Sequence, residues 1–448
     1  MQQAPVVLKF MAAAALPATF KTPDFMTRLI FLFLSFFLIN SLQAQTAGCR
    51  EKLDSAYKVL SGTSSFRAQV TGEKKKAYDE LLTALRAEAD QSSGNFGCFQ
   101  VVARLFDPIH DNHLDFYEKS VPAMDPVQYG DKNKVAAYRA LPVFRGWPVW
   151  KGDVAALEKR MMKVPADSIE GLYYFFDQMK IAVVRTVKKD SLVAVVLDSK
   201  IPFWKKGELV MVLREYAPFR FRALCAQPFA RNWNMVKNEK MIDGTFTETM
   251  LVGFNENSRW MKNPSAPDFR NLPSTVPECQ LRWLDSSTQY LRLGNFRTND
   301  ADLARATGFY DSIAGQLTAT RLVVDLRNNG GGGFRNSRRV LNQLEKYARE
   351  KKIYAIVNNR TVSNAEQFLV LLKFSPNVMV VGEATNGKIT YGSNEGKLVW
   401  LPGHSWVVYP TDTKEAGKVL QYEDVGVQPQ VLLRYDSDWI GQVLDLIR

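Results

Sequence analysis

The sequence predicts an α/β protein built around a parallel sheet, and three observations carry that reading. Residues 321–326, Arg-Leu-Val-Val-Asp-Leu, form a short and almost wholly apolar run, the texture of a strand buried on both faces. Four glycines follow at 330–333, where backbone amides can approach a ligand with no side chain in the way. Beyond them, Val340, Leu341, Leu344 and Tyr347 recur at helical spacing, followed by a strand at 353–357, a helix from Ser363 and a strand over 377–381. The order β-α-β-α-β calls for right-handed crossovers and places a site at the carboxyl ends of the strands.

Taken from the N-terminus, residues 29–39 are intensely apolar, with Arg28 before them and Ser-Leu-Gln-Ala at 41–44 after. The run is too short for a bilayer, which needs about 20 residues. A basic start, a short apolar core and a small-residue exit are the parts of a secretory signal peptide. Residues 1–44 are therefore expected to direct export, with Met26 as the start and 1–25 as an over-extension of the reading frame; a buried N-terminal helix is the alternative. Thr46 stands where a lipoprotein cleavage box has an aliphatic residue, so soluble export, periplasmic or extracellular, is expected rather than an anchor. Four cysteines, Cys49, Cys98, Cys225 and Cys279, form no Cys-x-x-Cys pair, which removes zinc-ribbon and thioredoxin-like readings. After export Cys49 and Cys98 could bridge one helical unit; buried free thiols are the alternative.

The next elements follow from texture. Residues 51–89 carry a long helical pattern, 98–105 continue it, and 106–114 break into a loop and strand, so 45–130 reads as a helical cap. Residues 120–165 are a Pro-, Gly- and Trp-rich connection with a short helix near 154–162. From 167 to 253, short strands alternate with turn residues, predicting a small antiparallel β-domain or partial barrel. Residues 289–296 restart the sheet, 303–317 form a helix, and 396–401 with 405–409 fit a hairpin. The length of 448 residues accommodates two or three domains. The formal charge of +12 is scattered in small clusters without a basic arm or nucleic-acid fingerprint, so no nucleic-acid partner is expected.

Three segments together resemble the tail-specific, or C-terminal processing, serine peptidases and the related tricorn core. They are Asp-Leu-Arg-Asn-Asn-Gly-Gly-Gly at 325–332, Ser-Asn-Ala-Glu at 363–366 and Gly-Glu-Ala-Thr-Asn-Gly-Lys at 382–388. A fourth, Glu-Asp-Val-Gly-Val-Gln-Pro at 423–429, fits the family's closing pattern, with Gln430 where Asp is common. The resemblance is specific over 280–448. It implies a crotonase-like catalytic core there, with the helical cap and an inserted β-domain at 167–253. It further implies a serine endopeptidase acting on polypeptides through an acyl-enzyme at Ser363. No carboxylate-binding loop of the PDZ type is found before the core.

Ser363 also opens a capping box with Glu366, a purely structural role that is compatible with catalysis, because a helix N-terminus presents amides to a developing oxyanion. The N–H of Asn364 and one from Gly330–Gly332, with Gly330 and Gly331 foremost, are the oxyanion candidates. A serine needs a base. Lys388 fits the Ser/Lys spacing of the bacterial branch and would have to be neutral; His113, with Glu423 as a polar orienter, fits the tricorn-like branch. Lys388 is the preferred base and His113 the alternative. The Gly-x-x-x-x-Gly-Lys at 382–388 lacks the Ser or Thr of a phosphate-binding loop, so no nucleotide, metal or other cofactor is expected. The oligomeric state is left open, a homo-oligomer included. The competing class is an exported peptide-binding protein that keeps this fold without activity.

Overall fold

The computed structural model describes residues 48–248, 259–394, 396–413 and 419–448. The segment read as a signal peptide lies outside them. The architecture is mixed α/β, with two sheets that carry separate hydrophobic cores.

The N-terminal part begins with four helices: α1 (Cys49–Ser61), α2 (Ser64–Gln69), α3 (Gly72–Gln91) and α4 (Asn95–Ala103). The single long helix expected over 51–89 is thus broken twice. Gly62 ends α1, Thr63 starts α2 by accepting the Phe66 N–H on its hydroxyl, and Gly72 takes a φ of +53°. Cys49 and Cys98 are joined in a disulfide across α1 and α4, with their Cα atoms 5.5 Å apart, whereas Cys225 and Cys279 are free.

After β1 (Asp115–Glu118) come α5 (Lys132–Arg139) and α6 (Val154–Met161), then β2 (Gly171–Phe175), β3 (Met179–Arg185), β4 (Ser191–Ser199), β5 (Leu209–Ala217), β6 (Arg220–Ala226), β7 (Trp233–Ile242), β8 (Thr245–Phe246) and β9 (Trp260–Met261). Strands β2 to β9 close into an eight-stranded antiparallel barrel through the β7–β8 pairing. Leu53, Leu85 and Phe99 of the helices share one core with Ile181, Val210 and Trp233 of the barrel. The cap is therefore continuous with the barrel, because each alone would leave an apolar face in water.

The second sheet has the order β10-β11-β12-β13-β14-β17: β10 (Cys279–Trp283), β11 (Thr288–Leu293), α7 (Asp300–Ile313), β12 (Arg321–Asp325), α8 (Phe334–Tyr347), β13 (Lys352–Val357), α9 (Asn364–Leu372), β14 (Val378–Gly382), with β17 (Val431–Leu432) at its edge. All neighbours are parallel except β10–β11. Alternation along each strand serves two layers. Leu322, Val324, Ile353 and Ala355 meet the helices α7 to α9 on one face, while Val323, Tyr354 and Ile356 meet α10 (Trp439–Ile447) on the other. The hairpin after Lys388, β15 (Val399–Trp400) and β16 (Trp406–Tyr409), leaves this sheet and pairs with β1 at the side of the barrel. No helix among the described residues is long and apolar enough to cross a membrane.

Candidate active site

The loops after β12, β13 and β14 meet at one end of the parallel sheet. The first is held by charge: Asp325, fully buried, takes three bonds from the Arg327 side chain, a fourth from its N–H and one from the Tyr290 hydroxyl. Burial alone would push this carboxyl up, but the Arg327 and Arg292 guanidiniums hold it below its ordinary value. Asn329 then accepts the Gly331 N–H at 2.9 Å and, through its carbonyl, the Val362 N–H.

Ser363 follows directly and stands at φ 61°, ψ −123°, a left-handed conformation that costs a non-glycine residue about 1–3 kcal/mol. Gly331 presses against it; a Cβ there would lie 2.9 Å from the Ser363 Cβ and 2.7 Å from the Val362 carbonyl oxygen. The Ser363 N–H is held by the Lys388 carbonyl at 2.9 Å and by Glu366 Oε2 at 3.0 Å. Ser363 and Glu366 form the expected capping box at the start of α9, with the Glu366 carboxylate on the Ser363 N–H and the Glu366 N–H also within 2.9 Å of the Ser363 carbonyl. The Ser363 hydroxyl lies 3.0 Å from His113 Nε2, a residue 250 positions away in sequence.

Glu366 ties this helix start to the third loop. Besides the Ser363 N–H it accepts the Thr385 hydroxyl at 2.6 Å, the Gly387 N–H at 2.7 Å and the Lys388 N–H at 3.1 Å. Among the described residues, the N–H groups of Gly330 and Asn364 donate to no protein acceptor, whereas that of Gly331 is taken by Asn329.

His113 reaches the site from the other core, on the irregular segment between α4 and β1. Its ring is held neutral: burial, and then the Lys388 cation, push its pKa down to about 3, and the Thr390 main chain opposes them. Glu423, expected to orient the imidazole, makes no hydrogen bond with the ring. Its Oε1 takes the Asn112 N–H at 2.6 Å, and its Oε2 takes the N–H groups of Ile389 and Thr390 and the Thr390 hydroxyl at 3.1, 2.9 and 2.7 Å. It therefore holds both neighbours of the ring rather than the ring itself.

The Lys388 side chain makes no hydrogen bond with Ser363 among the described residues; its contact with the serine is through the main chain. Burial pushes the ammonium down, but the carboxylates of Asp115, Glu248, Glu423 and Asp111 prevail and raise it above the ordinary lysine value. That direction is opposite to the one a lysine acting as general base needs. The sequence preference for Lys388 rested on spacing, which reports a loop length and not where the amine lies.

Several residues in this network escaped the sequence reading. Asp424 Oδ2 lies 2.5 Å from His110 Nδ1, its Oδ1 accepts Asn112 Nδ2 at 2.9 Å, and its carbonyl accepts Arg220 and Asn238 of the barrel. Lys237 and Lys240 on β7 are buried beneath the site. The only available signal was a charged stretch inside a β-rich region, which reads equally well as a solvated face.

No family model matches the chain, and no curated protein matches it. Among solved structures it is similar to mature CPAF (11% identity, 89% of this chain and 96% of that one, TM-score 0.39). It is also similar to the photosystem II D1 C-terminal processing protease (14%, 87% and 94%, TM-score 0.34). A third, the tricorn protease, is matched at 12% identity over 89% of this chain and 36% of that chain, with a TM-score of 0.37. Two of these three neighbours are proteases by name.

Proposed function

We propose that the protein is a serine peptidase that hydrolyses polypeptides through an acyl-enzyme at Ser363, with His113 rather than Lys388 as the base. One observation carries the reading: a serine hydroxyl on a strained turn at a helix N-terminus, 3.0 Å from the Nε2 of a buried imidazole. His113 Nε2 takes the hydroxyl proton as Oγ attacks the scissile carbonyl, and returns it to the leaving amine. The Thr390 main chain favours the imidazolium that forms, and Glu423 acts as a positioning residue. The free N–H groups of Gly330 and Asn364 are assigned to the oxyanion; Gly331 leaves the earlier set because its N–H is already engaged. The motifs at 325–332, 363–366 and 382–388 support the same family, and a crotonase-like core for 280–448 belongs to this reading. So does export, supported by the apolar 29–39 segment and the Cys49–Cys98 bridge.

The test is hydrolysis of a denatured polypeptide by purified protein and by Ser363→Ala and His113→Ala variants shown to unfold cooperatively. Each variant is expected to lose about four to six powers of ten in kcat. A folded Ser363→Ala that still cleaves would refute the nucleophile. Wild-type protein that binds peptide without cleaving it would favour the binding-protein class.

A further inference from the structure

We propose that Lys237 of the barrel is a positioning residue for His113, fixing the imidazole through the main chain of residues 109–111; this rests on the peptidase reading above. Lys237 lies on β7, where Asn238, Glu239 and Lys240 are buried with it. A strand of an antiparallel barrel ordinarily turns such residues to water. Here the ammonium, on a residue only 5% exposed, donates to the carbonyl of Ile109 at 2.6 Å and to that of Asp111 at 2.7 Å. Both carbonyls belong to the irregular segment that delivers the histidine.

From Asp111 the path to the ring is short. One carboxylate oxygen accepts the His113 N–H at 3.2 Å, and the other accepts the Thr411 hydroxyl at 2.6 Å. Asn112, between them, is held by Glu423, Gly387 and Asp424. On the N-terminal side, Gln69 exchanges two hydrogen bonds with the main chain of His110. The segment is thus clamped from the cap, from the core loops and, through Lys237, from inside the barrel. The two carbonyls already have main-chain donors, Asp111 N–H for Ile109 and Leu114 N–H for Asp111, so the lysine is not there to rescue orphaned oxygens. Burying an ammonium costs several kcal/mol, and an apolar residue would serve barrel packing at least as well. What the lysine adds is a rigid link between the barrel and the base.

The experiment compares wild type, Lys237→Met, Lys237→Arg and a control, Arg231→Met, which removes a buried barrel cation packed on Trp147 and Trp204 away from the site. Two quantities are read: the rate constant for labelling Ser363 with a fluorophosphonate, with kcat per labelled molecule, and amide hydrogen exchange over residues 109–113. Lys237→Met is expected to slow labelling and lower kcat per labelled molecule about 10–100-fold, with KM within about twofold, since an error near 1 Å in a catalytic group costs on that order. Exchange at His110, Asn112 and His113 is expected to rise at least about tenfold, and Lys237→Arg to recover part of both losses. Arg231→Met is expected to lower stability and leave kcat per labelled molecule unchanged. Unaltered exchange over 109–113, or fewer labelled molecules each turning over at the wild-type rate, overturns the proposal. If Lys237→Met does not fold, Lys237→Arg carries the test, because it shifts the donors while keeping the charge, and exchange and labelling must then move together. Labelling of Ser363→Ala at the wild-type rate overturns the peptidase reading and this one with it, a result that the exchange data keep distinct from failure of the lysine link alone.

Discussion

Replacing Lys388 by Met separates the two bases sharply, because the two assignments predict opposite outcomes. If His113 is the base, Lys388 is a fixed cation near the ring, and its removal makes imidazolium cheaper to form. The His113 pKa, held at about 3 by burial and then by this cation, must rise. The sign is fixed: taking away a like charge favours the protonated form. The whole depression, from 6.5 to about 3, corresponds to about 5 kcal/mol. Burial is its larger cause, so the cation is assigned the smaller share, about 1–2 kcal/mol, or about one pH unit. The acid limb of kcat/KM, set by neutral His113, should therefore lie well below 6.5 in wild type and move up by about one pH unit in Lys388→Met. Activity at pH 7–8 should stay within about tenfold of wild type. The measurement is a pH–rate profile on a chromogenic peptide, with folding checked at each pH. Loss of nearly all turnover at pH 8 in a folded Lys388→Met, with His113→Ala active, would refute the assignment and restore the Ser/Lys dyad.

Other outcomes follow from the same geometry. Ser363→Gly should abolish turnover while leaving stability to urea within about 1 kcal/mol of wild type, because relief of the positive φ offsets the lost capping interaction; a loss above about 2 kcal/mol would contradict that. Asp424 is held at about 2: burial pushes it up, but His110, Arg222 and Asn112 prevail. Its contribution, about 2 kcal/mol, is present above the unfolded value near 3.8 and is lost as pH falls through 2, so the stability gap between wild type and Asp424→Asn should narrow over that window. The Cys49–Cys98 bridge closes a loop with a sequence separation of 49, and Cys49→Ser with Cys98→Ser should cost about 4 kcal/mol by chain-entropy reckoning, read from urea midpoints.

What could be read from sequence was whatever is local. The run at 321–326 announces a doubly buried strand because both of its faces are apolar, and 336–347 announces a helix because its apolar stripe repeats within a turn. Ser363 could be singled out for a related reason, since the groups that hold its N–H, Glu366 and the Lys388 carbonyl, lie in two short motifs that can each be read along the chain. The burial of Lys237, Asn238, Glu239 and Lys240 on β7 was not legible, because such residues carry no mark of it in sequence and only the opposing loops reveal what they hold. The choice between Lys388 and His113 is likewise nonlocal. Spacing favoured the lysine, while the contact on which the proposal of His113 rests joins residues 250 positions apart, carried by two separate cores. Glu423, expected to orient the imidazole, instead takes the main-chain N–H groups at 112, 389 and 390.

That separation has a consequence during synthesis. His113 leaves the ribosome 250 residues before Ser363, and the barrel strands β2 to β9 are complete at Met261, before the serine is made. A nascent chain that has folded its cap and barrel therefore holds a base with nothing to activate. The serine, once made, stays an ordinary hydroxyl until the parallel sheet has formed and closed against the cap and barrel. Closing so long a loop is among the last and slowest events expected in folding. On the proposed function, a hydrolase of polypeptides is thus born harmless to its own unfinished chain and to its neighbours, and its chemistry switches on only when its architecture is complete.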